Sequence, residues 1–229
     1  MVDWLKAKYK MLIVIGSIVL AIMIAIILFN NIPRLTYEYS DTYEGYIVSK
    51  AYGNSESYTI PEEYKGKPVV GFGIRAFFRH DKLEKVNIKN PQNIKYVGKL
   101  SFSECPKLKA IDISYADKIE RNAFSYDKSL NNLTVSAKDI GSSAFYKCSS
   151  LENIIIEDGV ETIGSMAFSH TSINKIELPK SISVIHTDCF LYIDNLEEIV
   201  VYGKNDMLDT FRLNNEYLFS LGDIVKFKE

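Results

Sequence analysis

The chain has 229 residues, with 27 Lys plus Arg against 29 Asp plus Glu, 47% hydrophobic residues, 12 Gly, 6 Pro and 3 Cys. That length suffices for one domain with a sizeable core, and the composition excludes a collagen, a disulfide scaffold and a disordered chain. A formal charge of −2 exerts no long-range pull on a polyanion, so the sequence points to no nucleic-acid partner.

Residues 11–29, from Met11 to Phe29, are 19 consecutive uncharged positions in which only Gly16 and Ser17 interrupt the apolar side chains. A helix over this run would be about 28 Å long, enough to cross a hydrocarbon core of about 30 Å, and it is predicted to span a membrane. A cleaved signal peptide is the rival reading. The apolar run exceeds a usual signal core, and the exit Ile27-Leu28-Phe29-Asn30-Asn31 lacks a small-x-small cleavage site, so an uncleaved anchor is expected. The tail, residues 1–10, carries Lys6, Lys8 and Lys10, whereas only Arg34 follows the span closely. This bias places the N-terminus in the cytoplasm and everything after Asn30 outside, in a single pass. Trp4 and Tyr9 suit the inner interface. Ser17, Ala21 and Ala25 fall four apart, a small-residue face through which two spans could pair as a homodimer, although such residues also occur in spans that stay single.

Residues 30–36 read as a linker and residues 37–68 as an N-terminal cap and first half-turn. Seven of the fifteen Tyr lie between 37 and 64. Gly45 to Lys50 reads as a strand and Tyr52 to Ser55 as a turn, giving a cap of one hairpin. A Tyr-rich surface is also suited to binding sugar or protein, but amphipathic rings closing the open end of a core are the simpler reading.

The main signal begins at residue 69 and runs to 201. Phe77, Phe102, Phe124, Phe145, Phe168 and Phe190 recur at intervals of 25, 22, 21, 23 and 22. The residue before each Phe is small (Ala76, Ser101, Ala123, Ala144, Ala167, Cys189), and the fifth before it is apolar (Phe72, Val97, Ile119, Ile140, Ile163, Ile185). Gly73, Gly98, Gly141 and Gly164 stand four before it. After each Phe come three apolar positions in the spacing L-x-x-I-x-I, as in Leu151, Ile154 and Ile156. The alternating pair is a short strand with one face buried, and the Phe fills the interior beside a residue small enough to let the backbone bend past it. A unit of about 22 residues cannot bury its own apolar face, but stacked units bury one another's. The predicted fold is a repeat solenoid, mostly β, of about six turns with capping elements, plus one N-terminal transmembrane helix.

Units such as Val160-Glu-Thr-Ile-Gly-Ser-Met-Ala-Phe168, followed by Ile173-x-x-Ile-x-Leu-Pro179, resemble the BspA-like leucine-rich repeats of bacterial surface proteins. The segment from Tyr58 to Val69, with Ile60-Pro61 and Gly66-Lys67-Pro68, is similar to that family's first half-turn. The resemblance covers residues 46 to 201 and implies a surface protein acting in adhesion or cell-to-cell contact. This chain departs from the pattern in two ways. The Pro after the strand survives only at Pro61 and Pro179, and Glu120 and His186 replace Gly in units three and six.

Residues 202–229 read as a C-terminal cap. Asn205 to Leu213 has helix character with Met207, Leu208 and Phe211 on one face, and Ile224 to Phe227 reads as a last strand.

Chemical motifs are absent or imitated. Gly71-Phe-Gly-Ile-Arg-Ala76 matches the phosphate-cradling G-x-G-x-x-A, but Gly73 and Ala76 belong to the repeat columns. Ser125-Tyr-Asp-Lys128 matches S-x-x-K without its companion motifs. His80, His170 and His186 lie in different columns of different units, and the first two, four turns or about 19 Å apart, cannot share a metal. Cys105 and Cys148 fall two turns apart, about 10 Å, beyond the reach of a disulfide, and with Cys189 are expected as buried free thiols. Three unpaired thiols outside a cell would suit a reducing habitat. The sequence therefore implies no catalytic set, no metal site and no cofactor.

A partner is expected on the long strand face, where side chains between the buried columns form a row facing solvent. That row is Asn87, Asp112, Thr134, Ile155, Glu177 and Val200, with Ile155 and Val200 as its apolar members. Isolated apolar residues are also common on any strand face. Asn131, Asn132, Asn153 and Asn174 form a polar patch beside it. The expected function is non-enzymatic binding of a protein or cell-surface macromolecule at the bacterial surface. The alternative is an accessory subunit that binds another protein of the same envelope.

Overall fold

The computed structural model describes residues 2–186, 188–202 and 224–228. Helix α1 (Val2–Asn31) is continuous, so the expected tail is helical from Val2 onward, and the apolar run is its central part. At 30 residues it is about 45 Å long. Its window Lys8–Ala25 is long and apolar enough to cross a membrane, and none of it is buried inside the chain. The expected linker 30–36 is shorter in the structure, because α1 runs to Asn31 and the first strand begins at Arg34.

That strand, β1 (Arg34–Ser40), pairs antiparallel with β2 (Gly45–Tyr52). The hairpin predicted for the cap is present, but its turn is residues 41–44 and not 52–55. The next strands are β3 (Ser57–Ile60), β4 (Glu63–Tyr64), β5 (Lys67–Phe72), β6 (Lys85–Ile88), β7 (Tyr96–Val97), β8 (Lys118–Ile119) and β9 (Asn132–Val135). They are followed by β10 (Asp139–Ile140), β11 (Asn153–Ile156), β12 (Thr162–Ile163), β13 (Lys175–Leu178), β14 (Val184–Ile185), β15 (Glu198–Tyr202) and β16 (Val225–Lys228).

Every coil but that of Phe102 contributes two strands, where the sequence pattern showed one; in the Phe102 coil the expected strand at Ile111 and Ile113 is replaced by a single bridge between Ala110 and Lys85. The apolar column five before each Phe forms a continuous ladder in the order β1-β2-β5-β7-β8-β10-β12-β14, parallel from β2 onward. The stack has seven coils, because β2, expected in the cap, pairs with β5 as a coil of its own. The I-x-I strands form a second, interrupted face: β3 pairs with β6, β9 with β11, and β13 with β15 and then β16. The last strand expected at Ile224 to Phe227 is found as β16. The helix expected over 205–213 lies outside the described residues.

Between the two faces each coil turns around its Phe. Backbone φ is positive two residues before and two after it at non-glycine positions, for example Asn122 and Tyr126, Ser143 and Lys147, Met166 and His170. This alternation points every second N–H along the stack. Asn122, Phe124 and Tyr126 donate to the carbonyls of Ser142, Ala144 and Tyr146 at 2.8 to 3.0 Å, and neighbouring coils repeat the pattern. Every second peptide group of the bend is thereby paired with the next coil, which favours burying it.

The six phenylalanines form one ladder down the axis. Successive rings lie 5.0, 5.2, 5.4, 5.4 and 5.8 Å apart, tilted by 3° to 11°. Phe77, Phe102, Phe124, Phe145 and Phe168 have no exposed surface. Burial of each ring contributes about 1.5–3 kcal/mol. Glycine in the preceding column is a packing requirement: a Cβ on Gly141 would stand 2.6 Å from the Arg121 nitrogen of the coil before. At the N-terminal end the tyrosines close the stack. Tyr37 stacks on Tyr64 at 4.2 Å, Tyr46 meets Tyr64 edge-on at 4.9 Å, and Tyr43 stacks on Tyr96 at 5.4 Å.

Candidate interaction surface

The expected row does cross the strand face in register: Asn87 lies beside Thr59, Ile155 beside Thr134, and Val200 beside Glu177. It is not an open apolar surface. Val200 has no exposed area, contrary to the expectation that it faces solvent. It lies in β15, the middle of three strands. On the same face Glu198 holds Lys175 at 3.1 Å and Lys226 at 2.6 Å, and Tyr202 donates to Glu177 at 3.1 Å, so Val200 sits among interlocked polar side chains. Asp112 is occupied with its own turn, accepting from the Ser114 hydroxyl at 2.7 Å. Ile155 is 58% exposed and stands alone between Thr134 and Glu177. The asparagines satisfy one another, Asn153 donating to Asn132 at 3.0 Å and Asn132 to Asn131 at 2.8 Å. Asn174 takes no part in that chain of side chains.

A second surface lies along the bend. Tyr126, Tyr146, His170 and Tyr192 come from four successive coils and form an unbroken line of rings. The centroids are 5.5, 5.5 and 4.7 Å apart, edge-on for the first two contacts and stacked for the last. Tyr126 is 38% and Tyr192 59% exposed, so the line is a surface ridge and not core. Lys147 holds its ammonium 5.3 Å from both Tyr126 and Tyr146. At the Tyr126 end the ridge meets a shallow groove of about 660 Å³ lined by Arg79, Asp81, Glu104, Pro106 and Lys128. Arg79 is tied there to Glu104 at 2.8 Å. Aromatic rings braced by a cation present a large area with little side-chain entropy left to lose, the character of a protein contact surface. The sequence carried this signal weakly. Tyr126, His170 and Tyr192 stand two after their Phe, but Tyr146 stands one after, which breaks the column.

The three cysteines are free and buried. The Cys105 thiol donates to the Phe77 carbonyl at 3.0 Å and the Cys148 thiol to the Phe124 carbonyl at 3.1 Å. Burial pushes all three thiols well above their ordinary value, which makes them fillers and not nucleophiles. Gly73, the middle of the imitated phosphate turn, spends its N–H on the Val48 carbonyl at 2.8 Å. Among the described residues no group of three or more His, Cys, Asp and Glu is placed to hold a metal ion.

A family model for BspA type leucine rich repeat regions matches six copies over residues 49–138 and 117–221. The chain belongs to the BspA type leucine-rich-repeat family. Against the BspA pattern the two replaced glycines cause no change in the ladder. Glu120 donates to Val97 at 2.9 Å and His186 to Ile163 at 3.0 Å, as Gly141 does to Ile119. A comparison with curated proteins finds no match. Among solved structures the chain is similar to a leucine rich cell surface protein of Faecalibacterium prausnitzii, with 22% identity, a TM-score of 0.60, and coverage of 73% of this chain and 52% of that one. The pneumococcal vaccine antigen PcpA gives 19% identity and a TM-score of 0.58 over 82% of this chain and 47% of that one. The T. pallidum leucine-rich-repeat protein gives 24% and 0.50 over 72% and 68%. These likenesses establish the shared fold. This BspA-type chain spans about half the length of the F. prausnitzii protein and of PcpA.

Proposed function

We propose that this chain is a non-enzymatic scaffold, anchored in the bacterial membrane by α1 with its solenoid outside the cytoplasm, that binds another protein or a cell-surface macromolecule. Family membership supports a surface role in protein interaction or adhesion. The observation that carries the reading is the ring line Tyr126, Tyr146, His170 and Tyr192, exposed at both ends and half-buried between them, on a backbone whose bends are hydrogen-bonded from coil to coil. A surface held in that way binds without a folding cost, through side chains on one face and with no covalent step. The row Asn87, Asp112, Thr134, Ile155 and Glu177 is the second candidate face, with Ile155 as its one exposed apolar side chain.

A second reading, an accessory subunit of an envelope complex, is favoured by the two residues, Ile32 and Pro33, between α1 and β1. So short a connection keeps the solenoid beside its anchor and within reach of neighbouring membrane proteins. Cross-linking of the full chain in native membranes, and separately against foreign cell surfaces, tests both. Recovery of a single envelope protein supports the accessory role, capture from foreign surfaces alone supports adhesion, and capture from neither contradicts a binding function.

A further inference from the structure

Inside the bend, the position three after each Phe forms one column, half-buried at His80 and buried at Cys105, Asp127, Cys148, Thr171 and Ile193. Asp127 has no exposed area. Its Oδ1 accepts the Cys105 N–H at 2.7 Å, while its Oδ2 is buried without a hydrogen-bond partner. In neighbouring coils the N–H at this position closes a turn onto its own Phe: His80 to Phe77, Asp127 to Phe124 and Cys148 to Phe145, each at 3.2 Å. Cys105 does not, because Asp127 has captured its N–H, and among the described residues the Phe102 carbonyl receives no hydrogen bond in its place. The side chains on either side show where the missing bond belongs. Cys105 donates back to the Phe of the coil before it, Phe77, and Cys148 does the same to Phe124. The equivalent acceptor for Asp127 is Phe102.

We propose that Asp127 is a neutral carboxylic acid in the folded solenoid, inserted between the Cys105 N–H and the Phe102 carbonyl, so that the repeat array carries a bound proton and loosens when it is lost. One carboxyl then satisfies both ends of the opened turn: Oδ1 accepts from Cys105, and Oδ2–H donates to Phe102. A carboxylate, having no proton to donate, would face a buried carbonyl with like polarity, which is among the costlier arrangements in a core. The titratable neighbours give it no counter-charge. Cys105 faces it from the preceding coil and Cys148 from the following one, both thiols themselves pushed up by burial. Glu104 acts on Cys105 from the surface, and among the described residues no cation is paired with Asp127. Burial raises its pKa well above the usual carboxylate range, in agreement with this geometry.

A proton held only by the folded chain fixes the direction of the pH effect. Above the unfolded carboxylate value of about 4 the unfolded chain has lost this proton and the folded chain keeps it, so folding weakens about tenfold per pH unit until the folded pKa is reached. The device makes the solenoid firmest in mild acid and looser in alkali.

The test is denaturant unfolding of the full chain in detergent, wild type beside Asp127→Asn, from about pH 5 to about pH 9. Asn accepts through Oδ1 and donates through Nδ2, so it makes both bonds with nothing to titrate. The wild type is expected to lose about tenfold in its folding constant per pH unit relative to Asp127→Asn within that window. Parallel pH profiles for the two chains would overturn the proposal. Should the variant fail to fold, infrared spectra of the wild-type chain carrying 13C-carboxyl aspartate decide the matter. A protonated-carboxyl band at neutral pH supports a neutral Asp127, and its absence refutes it.

Discussion

Phe145 sits at the middle of the ring ladder, 5.4 Å from both Phe124 and Phe168, with no exposed surface. Its truncation to Ala is expected to cost about 3–5 kcal/mol, because neighbours fixed in their own coils cannot collapse into the space. Denaturant unfolding measures that loss. Gly141→Ala adds a single methyl group, yet it places a Cβ against the backbone of Arg121 and is expected to destabilise by about 1–3 kcal/mol in the same assay. His80 contributes an acid sensitivity of opposite sign to that of Asp127. Its Nε2 is buried without a partner, and burial lowers its pKa below the ordinary histidine value. In the window below about pH 6.5 the unfolded chain therefore binds the proton more readily, and stability falls as the pH drops. Over that range the two groups offset each other, so a His80→Gln chain is expected to gain stability more steeply than wild type as the pH falls from about 6.5 to about 5, measured by denaturant unfolding. Six phenylalanines in one column were legible in the sequence because core positions repeat with the coil. The burial of Val200 was not legible, because it depends on β16, some 25 residues further on, which adds a third strand beside β15. The rings of the ridge are hidden in the sequence because Tyr146 occupies a different column from Tyr126, His170 and Tyr192.

At the scale of elements, two strands in every coil but that of Phe102 replace the one that the pattern L-x-x-I-x-I announced. The I-x-I strand alternates over enough residues to show its period, whereas the second strand is only two residues long, as in Thr162–Ile163, and leaves just a column of single apolar positions. Main-chain pairing along the stack turns those columns into the longest ladder of the molecule. The cap illustrates the same limit. Its tyrosines and its hairpin were evident from composition, but the site of the turn was not, since residues 41–44 and 52–55 are both suited to turning. Within the cap, Tyr64 joins β4 to β1 and β2 through contacts with Tyr37 and Tyr46. Ring pairs of this kind contribute about 0.5–1.5 kcal/mol each beyond their buried area. A double-mutant cycle on Tyr37→Ala and Tyr64→Ala is expected to return a coupling in that range, and a coupling near zero would mean that the tyrosines only cover the end of the stack without bracing it.

For the whole molecule, α1 is exposed along its apolar window and the solenoid is self-sufficient in core, a division suited to an anchor and a displayed domain. Labelling intact cells with a membrane-impermeant amine reagent is expected to modify solenoid lysines such as Lys99 and Lys180 and to spare Lys6, Lys8 and Lys10; the reverse pattern would invert the topology. The binding face is the claim on which the proposed function turns. Its most direct test is quantitative cross-linking capture by the full chain, comparing wild type, Tyr126→Ser/Tyr192→Ser and Ile155→Lys, with folding of each verified by circular dichroism. Loss of two aromatic anchors is expected to weaken capture at least tenfold, equivalent to about 1.4 kcal/mol, while Ile155→Lys stays near wild type. Undiminished capture by the double tyrosine variant would contradict binding through the ridge, and loss of capture in Ile155→Lys alone would move the site to the strand face.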